Sequence, residues 1–384
     1  MKVLIVVPEF PVNLDEIKGG VFSALSNLLR GFVNSDIELR VIAFNRNIYK
    51  LLVVNYSEKI TIYYYPEAKL PHAYNFITNG SAVIKKQIRD FNPAIVHYGM
   101  SGYILLTKFF GLFHKIQIVT IHGMSFLEAR QKKSIKEKLV WYTNGIVEML
   151  FCPKNIIHIS FYTLNQFYRK NNNSSIIPNA VNPSYFEIPL KNYTQNKLLY
   201  IGGIESNKNI LFLLRALKIL VENNMLFTVE VLGDFMDNIY KAEVVKFIKE
   251  NNIENFVTFN GWVSQQKLQT IMAKGDILLV SSKQESLPMV IAEAMSAGKV
   301  VVASGVGGIA EMVTHEKDGF VFDISSVENV TRILKSLYNN YTRMQRIQIA
   351  ARQKAKNTYH CDTVAKKTIM FYKSLVDKKQ ILSM

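Results

Sequence analysis

One pattern limits the folds open to this chain more than any other. Short apolar runs alternate with amphipathic helical stretches, and the alternation runs through twice. "KVLIVV" is followed by a helical stretch from Val21 to about Phe32 and then by "ELRVIAF". "AIVHYG" and "KIQIVTIHG" read as further strands, a long helical stretch covers about Ser134 to Leu150, and "IIHIS" follows it. Near residue 197 the alternation restarts with "KLLYIGG", "NILFLLRALKIL", "FTVEVLG", "FVTFNG", "DILLVSS", "KVVVAS" and "GFVFD" among its parts. Strands joined through helices run parallel, so each series predicts an α/β doubly wound sheet. The join, "SSIIPNAVNPSYFEIP", is rich in Pro, Asn and Ser, as linkers are. The expected division is 1–182, 183–360 and a carboxyl-terminal helix, 361–384, returning toward the first domain. Two Rossmann-like domains facing across a cleft would bind ligands at the carboxyl ends of their strands.

Composition agrees with this architecture. A chain of 384 residues suits about two domains. With 49% apolar and 20% charged residues, folded protein is expected throughout. Cys152 and Cys361 lie far apart, which is neither a disulfide framework nor a metal spacing and suits a reducing cytoplasm. The opening apolar run is cut short by Pro8 and Glu9, so it reads as a strand and not a signal peptide. Ala94 to Phe113 is interrupted by His97 and Lys108 and falls short of a membrane span of about 20 residues. A soluble or peripheral protein, cytoplasmic or at the inner face of the cell membrane, is expected. The net charge of +16 either favours anionic partners or reflects background composition. No basic-aromatic motif points to nucleic acid.

The chemistry concentrates in "SSKQESLPMVIAEAMSAGKVVVAS". Pro288 sits where a helix can begin, and Gly298 where it can stop. The free N–H groups near Met289 and Val290 would then form an anion site at the carboxyl end of a strand. Glu285 precedes the helix, and Glu293 lies inside it, about 7.5 Å along the axis from Pro288. Carboxylates repel phosphate and accept from hydroxyls. The expectation is a phosphate on the helix start and a sugar hydroxyl on each glutamate, against the alternative of two solvated surface residues. In "YIGGIESNKN", Gly202 and Gly203 permit close backbone approach and Lys208 can place a cation on a phosphate. "GVGG", residues 305–308, lacks a full dinucleotide fingerprint and reads as a glycine-rich turn near the same ligand. With no D-x-D triplet and no His/Cys cluster, no essential metal is expected.

Six segments in order resemble the retaining glycosyltransferases of family 4, which have the two-Rossmann-domain fold called GT-B. "ESLPMVIAEAMSAGKVVVAS" is similar to that family's E-x7-E signature, with Glu285 and Glu293 as its acids. "SGVGGIAEMVTHEKDGFVFD" resembles the segment after it, and "YIGGIESNKNILFLLRAL" the family's G-R-x4-K loop. "SIIPNAVN" resembles the interdomain turn, "IKGGVFSALSNLLRGF" the N-terminal glycine turn, and "VTIHG" the His-Gly ending a first-domain strand. The resemblance implies that Lys208 and the amides of Met289 and Val290 hold the donor diphosphate. It implies that Glu293 accepts from ribose hydroxyls and that Glu285 lies by the donor sugar. Gly20 would let the backbone approach the diphosphate, His122 would sit near the transferred sugar, and Asn179 would belong to the hinge. The chain departs from the pattern at Gly203, where the family usually carries an arginine. His97 ends a strand without a motif and is expected to be structural.

The resemblance thus implies a hexosyl or N-acetylhexosaminyl transferase with a nucleotide-sugar donor, UDP-sugar favoured. No cofactor is expected beside that substrate. The implied acceptor is a glycan or lipid-linked oligosaccharide, as in bacterial surface polysaccharide assembly. Leaving-group charge would be stabilised by Lys208 and oriented amides. The first domain would bind the acceptor. Gly102 to Ile116 and Ala129 to Tyr142 mix basic with aliphatic and aromatic residues. Each is either a peripheral contact with an anionic membrane or an ordinary helix with a basic solvent face. Two other readings stay open: a hydrolase or phosphorylase on the same scaffold, and a catalytically weak or silent homologue that binds nucleotide or scaffolds an assembly.

Overall fold

The computed structural model describes residues 1–13, 19–68, 71–110, 116–131, 134–167, 173–191 and 195–381. The chain divides into two compact units. One contains the amino-terminal strand, Val21–Ala180 and the segment from Cys361 onward; the other contains Val181–His360 and, among the described residues before Val21, Gly19 and Gly20. The chain therefore changes unit at 20/21, at 180/181, two residues before the expected first boundary, and again at 360/361.

In chain order the first unit contains β1 (Lys2–Val7), α1 (Gly20–Phe32), β2 (Glu38–Asn45), β3 (Leu52–Ser57), β4 (Ile60–Pro66), α2 (His72–Asn75) and α3 (Ser81–Phe91). Then come β5 (Ile95–Tyr98), β6 (Ile116–Ile121), α4 (Ser125–Gln131), α5 (Ile135–Phe151), β7 (Asn155–His158), α6 (Phe161–Gln166) and β8 (Asn173–Ile176). The second unit contains β9 (Lys197–Ile201), α7 (Ile210–Glu222), β10 (Thr228–Leu232), α8 (Asn238–Glu250), β11 (Val257–Phe259), α9 (Gln265–Lys274) and β12 (Ile277–Val280). It continues through α10 (Met289–Ser296), β13 (Val300–Ser304), α11 (Ile309–Met312), β14 (Phe320–Phe322), α12 (Val327–Leu337) and α13 (Tyr341–Tyr359). The last helix, α14 (Cys361–Ile381), counts with the first unit.

The first sheet has eight strands in the order β3-β4-β2-β1-β5-β6-β7-β8. β1 is central, with Val3 opposite Leu39 on one side and Ile95 on the other. All pairs are parallel except the β3–β4 hairpin at the edge. The second sheet runs β11-β10-β9-β12-β13-β14, parallel throughout. Its central strands are near-continuous apolar runs because helices cover both faces. Every residue of "ILLV" in β12 and "VVVAS" in β13 is buried.

Each sheet reverses its strand order once, between β1 and β5 in the first unit and between β9 and β12 in the second. Loops leaving the carboxyl ends of two such strands diverge to opposite faces and open a crevice for a ligand. α14 completes the first unit's core. Cys361, Val364, Ala365, Thr368, Tyr372 and Leu375 are buried and share one helical stripe. α1 lies close against it. A Cβ at Gly31 would come within 2.3 Å of the Cys361 carbonyl oxygen and 2.8 Å of the Ala365 Cβ.

Candidate active site

In the second unit, the loops after β9 and β12 leave the switch point side by side and are sewn together. Ser281 Oγ donates to the Lys208 carbonyl at 3.1 Å and to the Asn209 carbonyl at 2.9 Å. The Lys283 N–H donates to the Asn207 carbonyl at 2.8 Å, and Asn207 Nδ2 returns a bond to the Gln284 carbonyl at 3.3 Å. Ser281 and Ser282 are each 1% exposed. Sequence reasoning missed these residues, although a polar pair ending the apolar run "DILLV" was a usable signal.

The sewing brings Lys208 and Glu285 into direct contact. Lys208 Nζ donates to Glu285 Oε1, which also accepts from Ser282 Oγ at 2.8 Å. The expectation gave these side chains different parts of one donor, its diphosphate and its sugar; in the structure they pair with each other. Their side chains are 31% and 12% exposed, so the ammonium keeps access to solvent. Lys208 lies two residues before α7, in the loop and not in the helix itself. Glu285 is fixed from behind by the turn at Gly305–Gly308. The Gly308 N–H donates to the Glu285 carbonyl at 3.0 Å. Gly307 has φ +53°, and a Cβ there would stand 1.9 Å from that carbonyl oxygen. Only glycine fits both the backbone conformation and the space.

α10 begins after Pro288, which is the cap residue (φ −68°, ψ 116°) and not the first helical residue. No side chain caps this start. The Ile291 N–H already bonds to the Pro288 carbonyl, leaving the amides of Met289 and Val290 as the first donors. The helix ends in a Schellman motif, with Lys299 N–H donating to the Ala294 carbonyl at 2.8 Å and Gly298 N–H to that of Met295 at 3.0 Å. Glu293 projects from the buried part of α10 and is 8% exposed. Burial, with no partner to offset it, pushes its carboxyl pKa up to about 7. Gly203 follows β9, and a Cβ there would meet Met236 Cγ at 3.2 Å. Met236 therefore occupies the space a side chain at 203 would enter, a contact nothing in the sequence signals.

Gly20, the first residue of α1, counts with the second unit and lies at the start of α10, where a Cβ on it would meet Met289 Cγ at 3.2 Å. His122 and His97 lie elsewhere. His122 follows β6 in the first unit, where Nε2–H donates to the Gly99 carbonyl at 3.0 Å. Burial holds its pKa down to about 4, against the opposing pull of that carbonyl and of Asn179. The ring is therefore neutral near pH 7. His122, His97, Thr120, Gly99 and Asn179 line a cavity of about 40 Å³ beside α1. That volume has room for a few waters. His97 is structural as expected: Nδ1 pairs with Tyr372 Oη at 2.6 Å and Nε2 with Thr120 Oγ1 at 2.8 Å. Among the described residues, no helix is long and apolar enough to cross a membrane.

Comparison with known proteins places this geometry in a family. Residues 181–354 match the model of the Glycosyl transferases group 1 family. An uncharacterized glycosyltransferase of Methanocaldococcus jannaschii, MJ1607, is 26% identical over 52% of this chain, which spans only 53% of that protein's length. An uncharacterized 41.2 kDa protein in the cps region of Klebsiella pneumoniae is 23% identical over 94% of this chain and 98% of its own. The UDP-Gal:alpha-D-GlcNAc-diphosphoundecaprenol alpha-1,3-galactosyltransferase of Escherichia coli is 23% identical over 56% of this chain and 58% of its own. Among solved structures, the sucrose-phosphate synthase of Thermosynechococcus elongatus superposes with a TM-score of 0.79 at 15% identity, covering 98% of this chain and 100% of that one. Anabaena HepE in complex with UDP superposes with a TM-score of 0.73 at 16% identity, covering 97% and 100%. Residues 181–354 of the second unit are thus a group 1 glycosyl transferase domain, which marks the chain as a transferase enzyme, and the chain as a whole has the GT-B fold of these solved structures.

Proposed function

We propose that the protein is a retaining transferase that moves a hexose or N-acetylhexosamine from a UDP-sugar to a glycan or lipid-linked oligosaccharide in bacterial surface polysaccharide assembly. The observation that carries this reading is the cluster at the β9/β12 switch point. A solvent-accessible ammonium, the carboxylate of Glu285 and an uncapped helix start meet there, with the buried Glu293 farther along the same helix. The names of the relatives suggest the substrate class. The E. coli relative is named for a UDP-galactose donor and a diphosphoundecaprenol-linked acceptor, and HepE is described in complex with UDP.

In this reading the diphosphate competes with Glu285 for Lys208. Lys208 turns to the leaving group, and the Met289 and Val290 amides hold the same phosphates. Glu285, released from the lysine but still held by Ser282, accepts from a sugar hydroxyl. Glu293 accepts from the ribose hydroxyls and must be ionised to do so. The acceptor attacks from the face the diphosphate leaves, and a departing phosphate oxygen takes its proton. Neither glutamate is needed as a nucleophile. In this reading Lys208 and the amides of Met289 and Val290 supply the positive charge for the leaving group, and no metal or cofactor is invoked. His122, neutral at working pH, is a hydrogen-bonding group and not a general acid.

The second reading, a weak or silent homologue, is favoured by one observation: position 203 carries no arginine, and Met236 fills the space beside it. One experiment separates the two. Nucleoside diphosphate release is measured across UDP-, GDP- and ADP-sugars, with and without membrane lipid extract. The transferase reading expects release from UDP-sugars, stimulated by the extract, and a loss of about 10²–10³-fold in kcat/KM for Lys208→Ala. Silence across the panel with UDP still raising the melting temperature would favour the silent homologue. Silence without UDP binding would overturn both.

A further inference from the structure

A helix covering a sheet normally turns its apolar stripe inward and its polar face to solvent. α5 departs from this: besides Val147 and Phe151, which pack against the core, its inner face carries Asn144 and Glu148, and its outer face is apolar. Asn144 Oδ1 accepts from the Tyr103 N–H at 3.0 Å. Glu148, 2% exposed, accepts from Ser101 Oγ at 2.6 Å and Ser125 Oγ at 2.7 Å. The outer face carries Ile135 (85% exposed), Leu139 (63%), Tyr142 (41%), Ile146 (45%), Met149 (41%) and Leu150 (60%). At about 100° per residue these six fall within an arc of about 100°, and at 1.5 Å per residue they form a ridge about 22 Å long. By the same geometry Lys136 and Lys138 lie on opposite flanks of the ridge. Glu137, the exposed acid of the helix, is turned to the far side.

A partner for this face must receive a straight apolar ridge one helix wide with cations along its borders. An anionic bilayer does so: the ridge enters the headgroup-acyl boundary while the lysines stay at the phosphate level. The chain's net charge of +16 has the matching sign. We propose that α5 is a membrane-docking helix for an anionic lipid surface, with Leu139 and Ile146 at the centre of its immersed face. This places the contact at one of the two stretches that the sequence suggested. In Gly102 to Ile116, residues Ile104, Leu105, Leu106 and Thr107 are buried, and the side chains of residues 108–115 fall outside the described set. In the other stretch the exposed face belongs to α5 and runs on to Leu150, beyond the expected limit at Tyr142.

The proposal stands apart from the donor-site reading, because lipid binding needs no turnover. The test is co-sedimentation of the full chain with phosphatidylcholine vesicles and with vesicles containing added phosphatidylglycerol. The parent chain is expected to sediment with the anionic vesicles and to be released by salt. The double variant Leu139→Asp/Ile146→Asp should lose at least about tenfold in partitioning. Lys136→Ala and Lys138→Ala should each lose about fivefold. All these positions are on the surface and outside the donor cluster, so melting temperature and UDP binding should stay at parental values. Three results would overturn the proposal: no sedimentation of the parent chain with anionic vesicles, equal partitioning of the aspartate variant, or a parental dimer that the aspartate variant splits while lipid binding is absent. The last would mean that a second copy covers the ridge.

Discussion

At the scale of single residues, the site is a set of charges whose partners, in the proposed reading, change with ligand. Lys208 and Glu285 are 77 positions apart and meet through two loops, so the sequence showed both charges without showing that they touch. Glu293 was legible as a carboxylate inside an apolar helix; its burial, and the pKa near 7 that follows, needed the structure. That pKa lies above the ordinary glutamate value of 4.5, so protonated Glu293 favours the fold below pH 4.5. This stability is lost as pH rises through about 7. At about 1.4 kcal/mol per unit the loss is about 3 kcal/mol. Glu293→Gln should therefore gain melting temperature relative to the parent chain as pH is raised from about 5 to about 8; a constant difference would contradict the buried, unpartnered carboxyl. With nucleotide the sign reverses. If, as proposed, ribose hydroxyls donate to the ionised form, UDP affinity weakens as pH falls below 7 in the parent chain and stays flat in Glu293→Gln. Calorimetric titration at several pH values reads this directly.

At the scale of elements, the strands and helices that carry the site were legible because parallel strands buried on both faces are continuous apolar runs. Gly298 marked the end of α10, and Pro288 its start to within one residue. The β3–β4 hairpin was not read, since "LLVVNYSEKITIYYYP" breaks the strand-helix alternation with an antiparallel pair. The turn around Gly307 was seen as glycine-rich, but its role as the back wall of Glu285 rests on a 1.9 Å approach that no spacing encodes. Gly307→Ala combines that clash with a positive φ, which costs about 1–2 kcal/mol by itself. The variant should unfold at lower denaturant and lose turnover through displacement of Glu285. Parental stability would mean the turn is not held as described. α14 is tied to the first sheet by the Tyr372–His97 hydrogen bond. Tyr372→Phe leaves a buried ring nitrogen unpaired and should cost about 1–3 kcal/mol in denaturant unfolding. An unchanged midpoint would show that the bond is not a structural tie.

At the scale of the whole molecule, the chain contains two α/β units whose sheets each reverse strand order once, and the chemistry-bearing cluster lies at the second reversal. The sequence located that cluster through the spacing of Glu285, Pro288 and Glu293, but charge balance alone said only that anions are favoured. The central claim is that Lys208 exchanges Glu285 for a nucleotide's diphosphate. It is tested most directly by titrating UDP and uridine into the parent chain and into Lys208→Ala. The account predicts that the parent chain binds UDP far more tightly than uridine. Lys208→Ala should remove most of that preference, about 1.5–3 kcal/mol or roughly one to two orders of magnitude, while uridine affinity stays the same. An undiminished preference for UDP in Lys208→Ala would contradict the account, because the diphosphate would then be held by something other than this lysine.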